Sequence, residues 1–152
     1  MNALLTYRRL TETDIPTFVA MRITQLKEEG AQSDLDLEPA LTTYYQKHLT
    51  DGTFVSWLAV DGERIIGTSG MSFVEKPPYY SNPTGKIGLL SSMYTHPDYR
   101  RQGIAWKLLD CVVEEARACG CGSPHPKWVC CCILRMDSRK TDVFCSMCCN
   151  AQ

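Results

Sequence analysis

The spacing of apolar residues in the first fifty positions predicts one strand followed by two helices. Leu5 to Leu10 alternate weakly in polarity, which favours a strand. A helix is expected to begin after the polar cluster that ends at Asp14 and to end near Gly30. One face of that helix carries Ile15, Phe18, Val19 and Leu26 together with Arg22. A second helix is predicted from about Leu37 to Leu49, and its stripe is Leu37, Ala40, Leu41, Tyr44, Tyr45 and Leu49.

The middle of the chain has the pattern of three strands. A run from Phe54 to Val60 and a run from Arg64 to Val74 flank Asp61-Gly62, which is a strong hairpin turn signal. Residues 76 to 85 contain three prolines, and this composition predicts a loop. The third strand is expected from Lys86 to Thr95, with its end at Pro97-Asp98.

A long amphipathic helix is predicted from Gly103 to about Ala118. Its apolar stripe is Ile104, Ala105, Leu108, Leu109, Val112, Val113 and Ala116. Trp128 to Leu134 is β-prone and predicts a short final strand. The order β-α-α-β-β-β-α-β indicates one α/β domain over residues 1 to 152, with a mixed, mostly antiparallel, twisted sheet flanked by helices.

Candidate chemistry is concentrated where the third of these strands leads into the long helix. The segment has the form Arg-x-x-Gly-x-Ala, with Arg100, Gly103 and Ala105 at the defining positions. Backbone N–H groups at a helix N-terminus attract anions, and glycine lets a ligand approach the backbone closely. Arg100 and Arg101 add positive charge. The segment therefore suits a pyrophosphate.

With this motif and element order in view, residues 5 to 122 resemble the GCN5-related N-acetyltransferase (GNAT) superfamily. The most specific likeness lies in residues 93 to 105, which match a strand end, a Pro-acidic-Tyr-Arg turn, a pyrophosphate loop and a helix start. The resemblance implies acetyl-CoA as cosubstrate and no metal. It implies that the pantetheine arm bonds to the strand residues Met93, Tyr94 and Thr95. It implies that the pyrophosphate takes N–H groups from Arg101, Gln102, Gly103, Ile104 and Ala105.

The chemistry implied is direct attack of an amine on the thioester. A backbone N–H near Tyr94 or Thr95 is expected to stabilise the oxyanion. Glu75, where a strand meets the proline-rich loop, is a candidate acceptor for the amine proton, and a solvated loop carboxylate is the alternative. Many family members protonate the thiolate with a tyrosine on a later helix, and this chain has no tyrosine after Tyr99.

Other side chains have two interpretations each. Tyr79, Tyr80 and Tyr94 either line an acceptor pocket or simply pack. For Tyr44 and Tyr45, core or rim packing is the default, and the acceptor border is the alternative. His48 and His96 are expected to be surface or capping groups rather than bases. Glu28-Glu29 is expected to be a solvated helix end, with attraction of a cationic amine as the alternative.

The amino-acid composition bears on the kinds of molecule that this protein binds and on its location in the cell. The chain has 152 residues, 44% of them hydrophobic and 22% charged, with a net charge of −1. This balance gives no pull toward nucleic acid or membrane. No apolar run approaches the about 20 residues of a membrane span, and no secretion signal is visible. We therefore expect a cytoplasmic protein. The resemblance implies a small-molecule or peptide amine as the acceptor, and a homodimer is an open option.

The C-terminal segment departs from the family pattern. All nine cysteines lie at or after Cys111, and residues 123 to 152 lack the strand-helix ending of the family. The segment is either a frameshifted or miscloned end of an ordinary family member or a natural lineage-specific end. Two cysteine pairs near this end match structural zinc spacing poorly, because Cys145 and Cys148 have C-x-x-C spacing, whereas Cys119 and Cys121 have C-x-C spacing.

These observations favour an acyl-CoA-dependent N-acetyltransferase that works through a ternary complex. No serine or cysteine in the first 110 residues stands in a nucleophile-elbow context, which argues against a covalent enzyme intermediate. The missing late tyrosine motivates an alternative, a non-catalytic CoA-binding or sensory module on the same fold. The cysteine content motivates a third hypothesis, a metal- or redox-responsive protein.

Overall fold

The computed structural model describes residues 4–32, 34–80 and 82–121, and these form five strands and three α-helices. The strands are β1 Leu5–Arg9, β2 Phe54–Val55, β3 Trp57–Asp61, β4 Arg64–Glu75 and β5 Lys86–Thr95. The helices are α1 Ile15–Glu28, α2 Glu38–Asp51 and α3 Ile104–Ala118. The predicted strand at Trp128 to Leu134 and the cysteine-rich segment lie outside the described residues.

One open sheet contains all five strands. β1 pairs with β3, and β4 pairs with β2 and β3 along one edge and with β5 along the other. Every pairing among the described strands is antiparallel, as expected for most of the sheet. The parallel pairing that would make the sheet mixed depends on the predicted final strand, so it stays a prediction.

The run predicted as one strand from Phe54 to Val60 is interrupted at Ser56. β2 and β3 both face β4, and the side chain of Ser69 on β4 occupies the gap. The Ser69 hydroxyl accepts from the Trp57 N–H at 3.1 Å and donates to the Trp57 carbonyl at 2.8 Å. Ser56 in turn donates to the Ser69 carbonyl. The Ser69 side chain thus takes the place of backbone hydrogen bonds between the strands. The spacing of apolar residues does not indicate such a replacement.

The two faces of the sheet are covered by different helices, and each face has its own core. α3 packs on one face through the predicted stripe, where Ile104, Leu108, Leu109, Val112 and Ala116 are buried. α1 and α2 cover the other face. On α2 only Tyr45 of the predicted stripe is fully buried, so this helix lies at the periphery of its core.

The start of α1 is held by a carboxylate rather than by a simple helix cap. Asp14 ends a short 3₁₀ turn, Glu12–Asp14, and its side chain is 11% exposed. It accepts from the Arg8 guanidinium at 2.6 and 2.8 Å and from the Thr11 N–H at 3.0 Å. The hydrogen bonds from Arg8 are the main reason that the pKa of Asp14 lies well below its usual range.

We expect Asp14→Asn to lower the free energy of unfolding by about 2 kcal/mol at neutral pH, because a buried charge-assisted pair is lost. A carboxyl whose pKa is depressed on folding stabilises the protein above its unfolded pKa of about 4. That contribution is lost as the pH falls toward the folded pKa, so the difference between wild type and variant should shrink below about pH 4.

Urea unfolding of both proteins at pH 7 and pH 3 measures this difference. Asp110→Asn, an equal charge change at an exposed position of α3, is the matched control. An Asp14→Asn protein as stable as wild type at pH 7 would contradict the prediction.

Candidate active site

The turn between β5 and α3 is fastened to the sheet by its own side chains. Pro97–Tyr99 forms a 3₁₀ turn, and His96 accepts the Asp98 N–H at 3.3 Å, which confirms the capping role expected for His96. The Tyr99 hydroxyl donates to Asp61 at 2.7 Å in the β3–β4 hairpin. This bond is the main cause of the raised pKa of Tyr99. The loop that follows is therefore held at a fixed place against the sheet.

Two residues of the Arg-x-x-Gly-x-Ala segment adopt left-handed backbone conformations. Arg101 has φ 66°, and Gly103, which caps α3, has φ 79°. The first bond of the helix runs from the Lys107 N–H to the Gly103 carbonyl at 3.1 Å. The preceding amides of the first turn therefore have no acceptor within the helix. That turn carries no acidic side chain, so its positive end is available to an anion.

A bulge interrupts β5 just before the loop. The β4–β5 register shifts between Thr68 and Gly70, and Ser92 adopts φ 53°. The Thr68 hydroxyl donates to the Ser92 carbonyl at 2.8 Å, and the Tyr45 hydroxyl lies 3.3 Å from Ser92 Oγ. A bulge re-aims the residues that follow it. Here these residues are Met93, Tyr94 and Thr95.

The register after the bulge decides which amides face away from β4. The His96 N–H donates to the Ile66 carbonyl of β4 at 2.8 Å. Because the direction of backbone groups alternates along an antiparallel strand, the N–H of Tyr94 also faces β4, and the N–H of Thr95 faces the opposite edge. Of the two amides expected to hold an oxyanion, Thr95 is the one that the register directs to that edge.

Side chains already occupy the two carbonyls on either side of the Thr95 N–H. The buried Gln25 side chain of α1 donates to the Met93 carbonyl at 3.0 Å. Arg100 Nε donates to the Thr95 carbonyl at 2.9 Å. Between these two filled acceptors, the edge presents the Thr95 N–H. An N–H donor of this kind pairs with an acceptor oxygen.

Glu28, at the end of α1, joins this edge to the loop. Its Oε1 accepts from the Tyr94 hydroxyl at 3.1 Å, and its Oε2 accepts from the Arg100 guanidinium at 2.9 Å. The guanidinium also lies over the Tyr94 ring, 5.6 Å from its centre. Burial, and then the bond to Glu28, raises the pKa of Tyr94, so its hydroxyl stays protonated.

This combination of sheet, bulge and glycine-capped helix is matched by known proteins. A family model described as acetyltransferase (GNAT) family matches residues 19–124, which is most of the chain. The chain belongs to the GNAT family. Membership confirms the resemblance derived from residues 93 to 105 and implies acyl transfer from acetyl-CoA.

Solved acetyltransferase structures match the chain over most of their own length. A predicted acetyltransferase with acetyl-CoA from Clostridium acetobutylicum is 30% identical, with 93% of this chain and 94% of that chain covered and a TM-score of 0.76. A GCN5-related N-acetyltransferase from Ralstonia eutropha JMP134 is 20% identical, covering 93% and 96%, with a TM-score of 0.74. Glucosamine-6-phosphate N-acetyltransferase from Arabidopsis thaliana is 12% identical, covering 94% and 97%, with a TM-score of 0.61. No curated protein matches the chain.

Three of the residues that the sequence suggests lie away from the Arg-x-x-Gly-x-Ala loop. Glu75 is exposed at the far end of β4 opposite Lys86, whereas the site faces Thr68. The seven residue-to-residue steps from 68 to 75 span about 23 Å of extended backbone. Tyr79 and Tyr80, in the loop beyond Glu75, are 51% and 107% exposed. The structure thus groups Tyr94 with the loop and leaves these three residues apart from it.

The structure also shows where the two tyrosines and the histidine of α2 lie. Tyr45 is a core residue, with its ring 4.8 Å from that of Phe18, and burial raises its pKa. Tyr44 is partly exposed, and its hydroxyl lies 3.2 Å from Ser72 Oγ. His48 lies 2.5 Å from the Thr53 hydroxyl at the end of the helix, as expected of a surface or capping group.

Sequence reasoning did not find Gln25, and it treated Glu28 as a helix end. Both contact β5 or the loop across 66 to 72 positions of the chain. Gln25 lies on the buried side of α1, and a buried polar residue at a helical core position is the one available signal. That signal indicates a bonded side chain without naming its partner.

Two further properties concern the described part of the chain. None of its helices is long and apolar enough to cross a membrane. Within residues 4–32, 34–80 and 82–121, no three metal-ligating side chains come together.

Proposed function

We propose that this GNAT protein transfers an acetyl group from acetyl-CoA to an amine by direct attack within a ternary complex. The observation that carries the proposal is the glycine cap at Gly103, which opens α3 with φ 79° next to the edge of β5 that no described strand pairs with. One short loop thus joins a cluster of amides suited to phosphate with a single amide suited to a carbonyl oxygen.

The pyrophosphate is assigned to the amides of Arg101, Gln102, Gly103, Ile104 and Ala105. Amides at the start of a helix point toward solvent along the axis, and the helix dipole favours negative charge there. The absence of acidic residues from the first turn of α3 and the charge of Arg101 support this assignment.

The pantetheine arm is assigned to the edge formed by Met93, Tyr94 and Thr95. An extended amide-containing arm can lie along a strand edge as an added strand would. The Thr95 N–H is the donor on that edge, so it is proposed to hold the thioester oxygen. A donor that faces the developing oxyanion in a water-poor site contributes about 3 to 4 kcal/mol in well-studied cases.

The reaction forms one bond and breaks one. The lone pair of a neutral amine attacks the thioester carbon, and the carbonyl oxygen gains negative charge near the Thr95 N–H. The carbon–sulfur bond then breaks, CoA leaves as the thiolate, and the amine proton passes to solvent. Glu75 is assigned no part in this proton transfer, since it lies at the other end of β4. The Tyr94 hydroxyl is held by Glu28, which gives it a role in shaping the edge.

Release of the CoA thiol from acetyl-CoA over a panel of small amines and peptide N-termini tests the proposal. We expect amine-dependent release, and double-reciprocal plots that intersect, as direct transfer in a ternary complex requires. Parallel plots would instead indicate a covalent enzyme intermediate and would contradict the mechanism. Acetyl-CoA hydrolysis without amine is the blank.

A second candidate function is a CoA-binding module without turnover. The observation that favours it is the lack of any tyrosine after Tyr99 to protonate the thiolate. Tight CoA binding in calorimetry together with no thiol release over the whole amine panel would support this candidate over the enzyme.

A further inference from the structure

The guanidinium of Arg100 is engaged by protein groups on three sides. Nε donates to the Thr95 carbonyl at 2.9 Å, a terminal nitrogen donates to Glu28 at 2.9 Å, and the planar group lies over the Tyr94 ring. Arg100 occupies the first position of the Arg-x-x-Gly-x-Ala motif, where sequence reasoning assigns an anion-binding side chain. Its observed partners are a strand carbonyl and a carboxylate instead.

These contacts orient the guanidinium toward α1 and β5. An arginine that binds phosphate presents its fork of donors to the anion. Here Nε and a terminal nitrogen bridge Thr95 and Glu28, and a carboxylate beside the guanidinium offsets the charge that would attract phosphate. The Arg100 and Glu28 side chains are 36% and 32% exposed, so the pair is partly shielded from solvent.

The last two turns of α1 therefore hold both carbonyls that flank the Thr95 amide. Gln25 bonds the Met93 carbonyl directly, and Glu28 holds the arginine that bonds the Thr95 carbonyl. If either carbonyl were unoccupied, a ligand arm on this edge could pair in a shifted register. With both occupied, the edge accepts an arm in the one register that places an acceptor oxygen on the Thr95 N–H.

We propose that Arg100 is a positioning residue, which with Glu28 fixes the strand edge for the pantetheine arm, and that it does not bind the pyrophosphate. The inference rests on the proposed function, because it specifies how the same acetyl-CoA site is organised. Arg100 acts on the ligand through the Thr95 backbone, and the phosphates are left to the loop amides.

Two substitutions distinguish a positioning role from a phosphate-binding role. Glu28→Gln removes the carboxylate charge. A phosphate-binding arginine would then be released and CoA would bind more tightly, whereas a positioning arginine loses its anchor and CoA binds more weakly. Arg100→Lys keeps the charge but cannot bridge two acceptors. Lysine serves well as a phosphate ligand, so only the positioning role is lost in Arg100→Lys.

The experiment is calorimetric titration of the full chain with CoA and with 3′-phospho-ADP, which keeps the pyrophosphate and lacks the pantetheine arm. We expect Glu28→Gln and Arg100→Lys each to weaken CoA binding about fivefold, in line with loss of a partly exposed ion pair. Binding of 3′-phospho-ADP should change less than about twofold. Glu114→Gln, which breaks the exposed pair with Arg117 at the far end of α3, should change neither affinity.

Tighter CoA binding by Glu28→Gln, or wild-type affinity in Arg100→Lys, would overturn the inference. An equal loss of affinity for CoA and for 3′-phospho-ADP would also overturn it, since that pattern is expected of a side chain that binds phosphate. Thermal unfolding of each variant shows whether it is folded, and the exposed Glu28→Gln change is the safer of the two. A wild-type protein that binds neither ligand would instead overturn the proposed function itself.

Discussion

Replacing Gly103 by valine should weaken CoA binding at least about tenfold in a protein that remains folded. A Cβ built at Gly103 meets no atom of the described residues within 4 Å, so valine fits there without a clash in the free protein and adds bulk beside the amides proposed to hold the phosphates. At φ 79° a side chain also strains the helix cap, and a non-glycine residue in this conformation costs about 1 to 2 kcal/mol.

The strain and the loss of binding can be separated with a matched glycine. Gly52, which ends α2, has φ 77° and likewise has no described atom within 4 Å of a built Cβ. Gly52→Val should therefore lose about the same stability and keep wild-type affinity for CoA. Calorimetric titration and thermal unfolding of both variants measure the two effects. A folded Gly103→Val protein that binds CoA as well as wild type would remove the basis for the pyrophosphate assignment.

Leu108→Ala should lower the free energy of unfolding by about 3 kcal/mol. The Leu108 side chain is fully buried between α3 and the sheet, and its Cδ1 lies only 3.2 Å from a Cβ built on Gly67 of β4. Truncating such a leucine removes buried apolar surface and leaves a cavity, and measured losses run from about 2 to 5 kcal/mol. Because α3 carries the proposed phosphate site, this core contact also supports the site.

Urea unfolding of Leu108→Ala at neutral pH tests this expectation. Lys107→Ala is the control on the same helix, because the neighbouring lysine is exposed and its truncation should change stability by less than about 0.5 kcal/mol. A loss below about 1 kcal/mol for Leu108→Ala would mean that α3 contributes little to the core that we describe.

Local patterns were sufficient for the order of the described elements as far as α3, apart from the break at Ser56, and for the position of the turn before α3. The hairpin at Asp61-Gly62, the strand that ends at Thr95 and the helix that follows Gly103 all appear in the structure at the predicted places. Each depends on neighbours within a few positions: a turn dipeptide, a proline or a helical stripe. These elements can be predicted from the sequence because the interactions that form them involve residues close together in the chain.

Local patterns were insufficient where a contact joins distant segments. Glu75 seemed a reasonable proton acceptor because it follows a strand and precedes a loop. The antiparallel register, however, places it opposite Lys86 and away from Tyr94. The break at Ser56 has the same origin, because it depends on the side chain of Ser69 across the sheet.

The sequence by itself determined the family, the order of most described elements and the segment suited to a pyrophosphate, because helical and strand periodicity and glycine conformation depend on residues close in the chain. Only the tertiary structure decided that the Thr95 amide faces away from β4, toward the edge that no described strand covers, and that Arg100 is held by Glu28. Those results follow from the bulge at Ser92 and from the packing of α1 beside β5, which bring together groups about seventy residues apart.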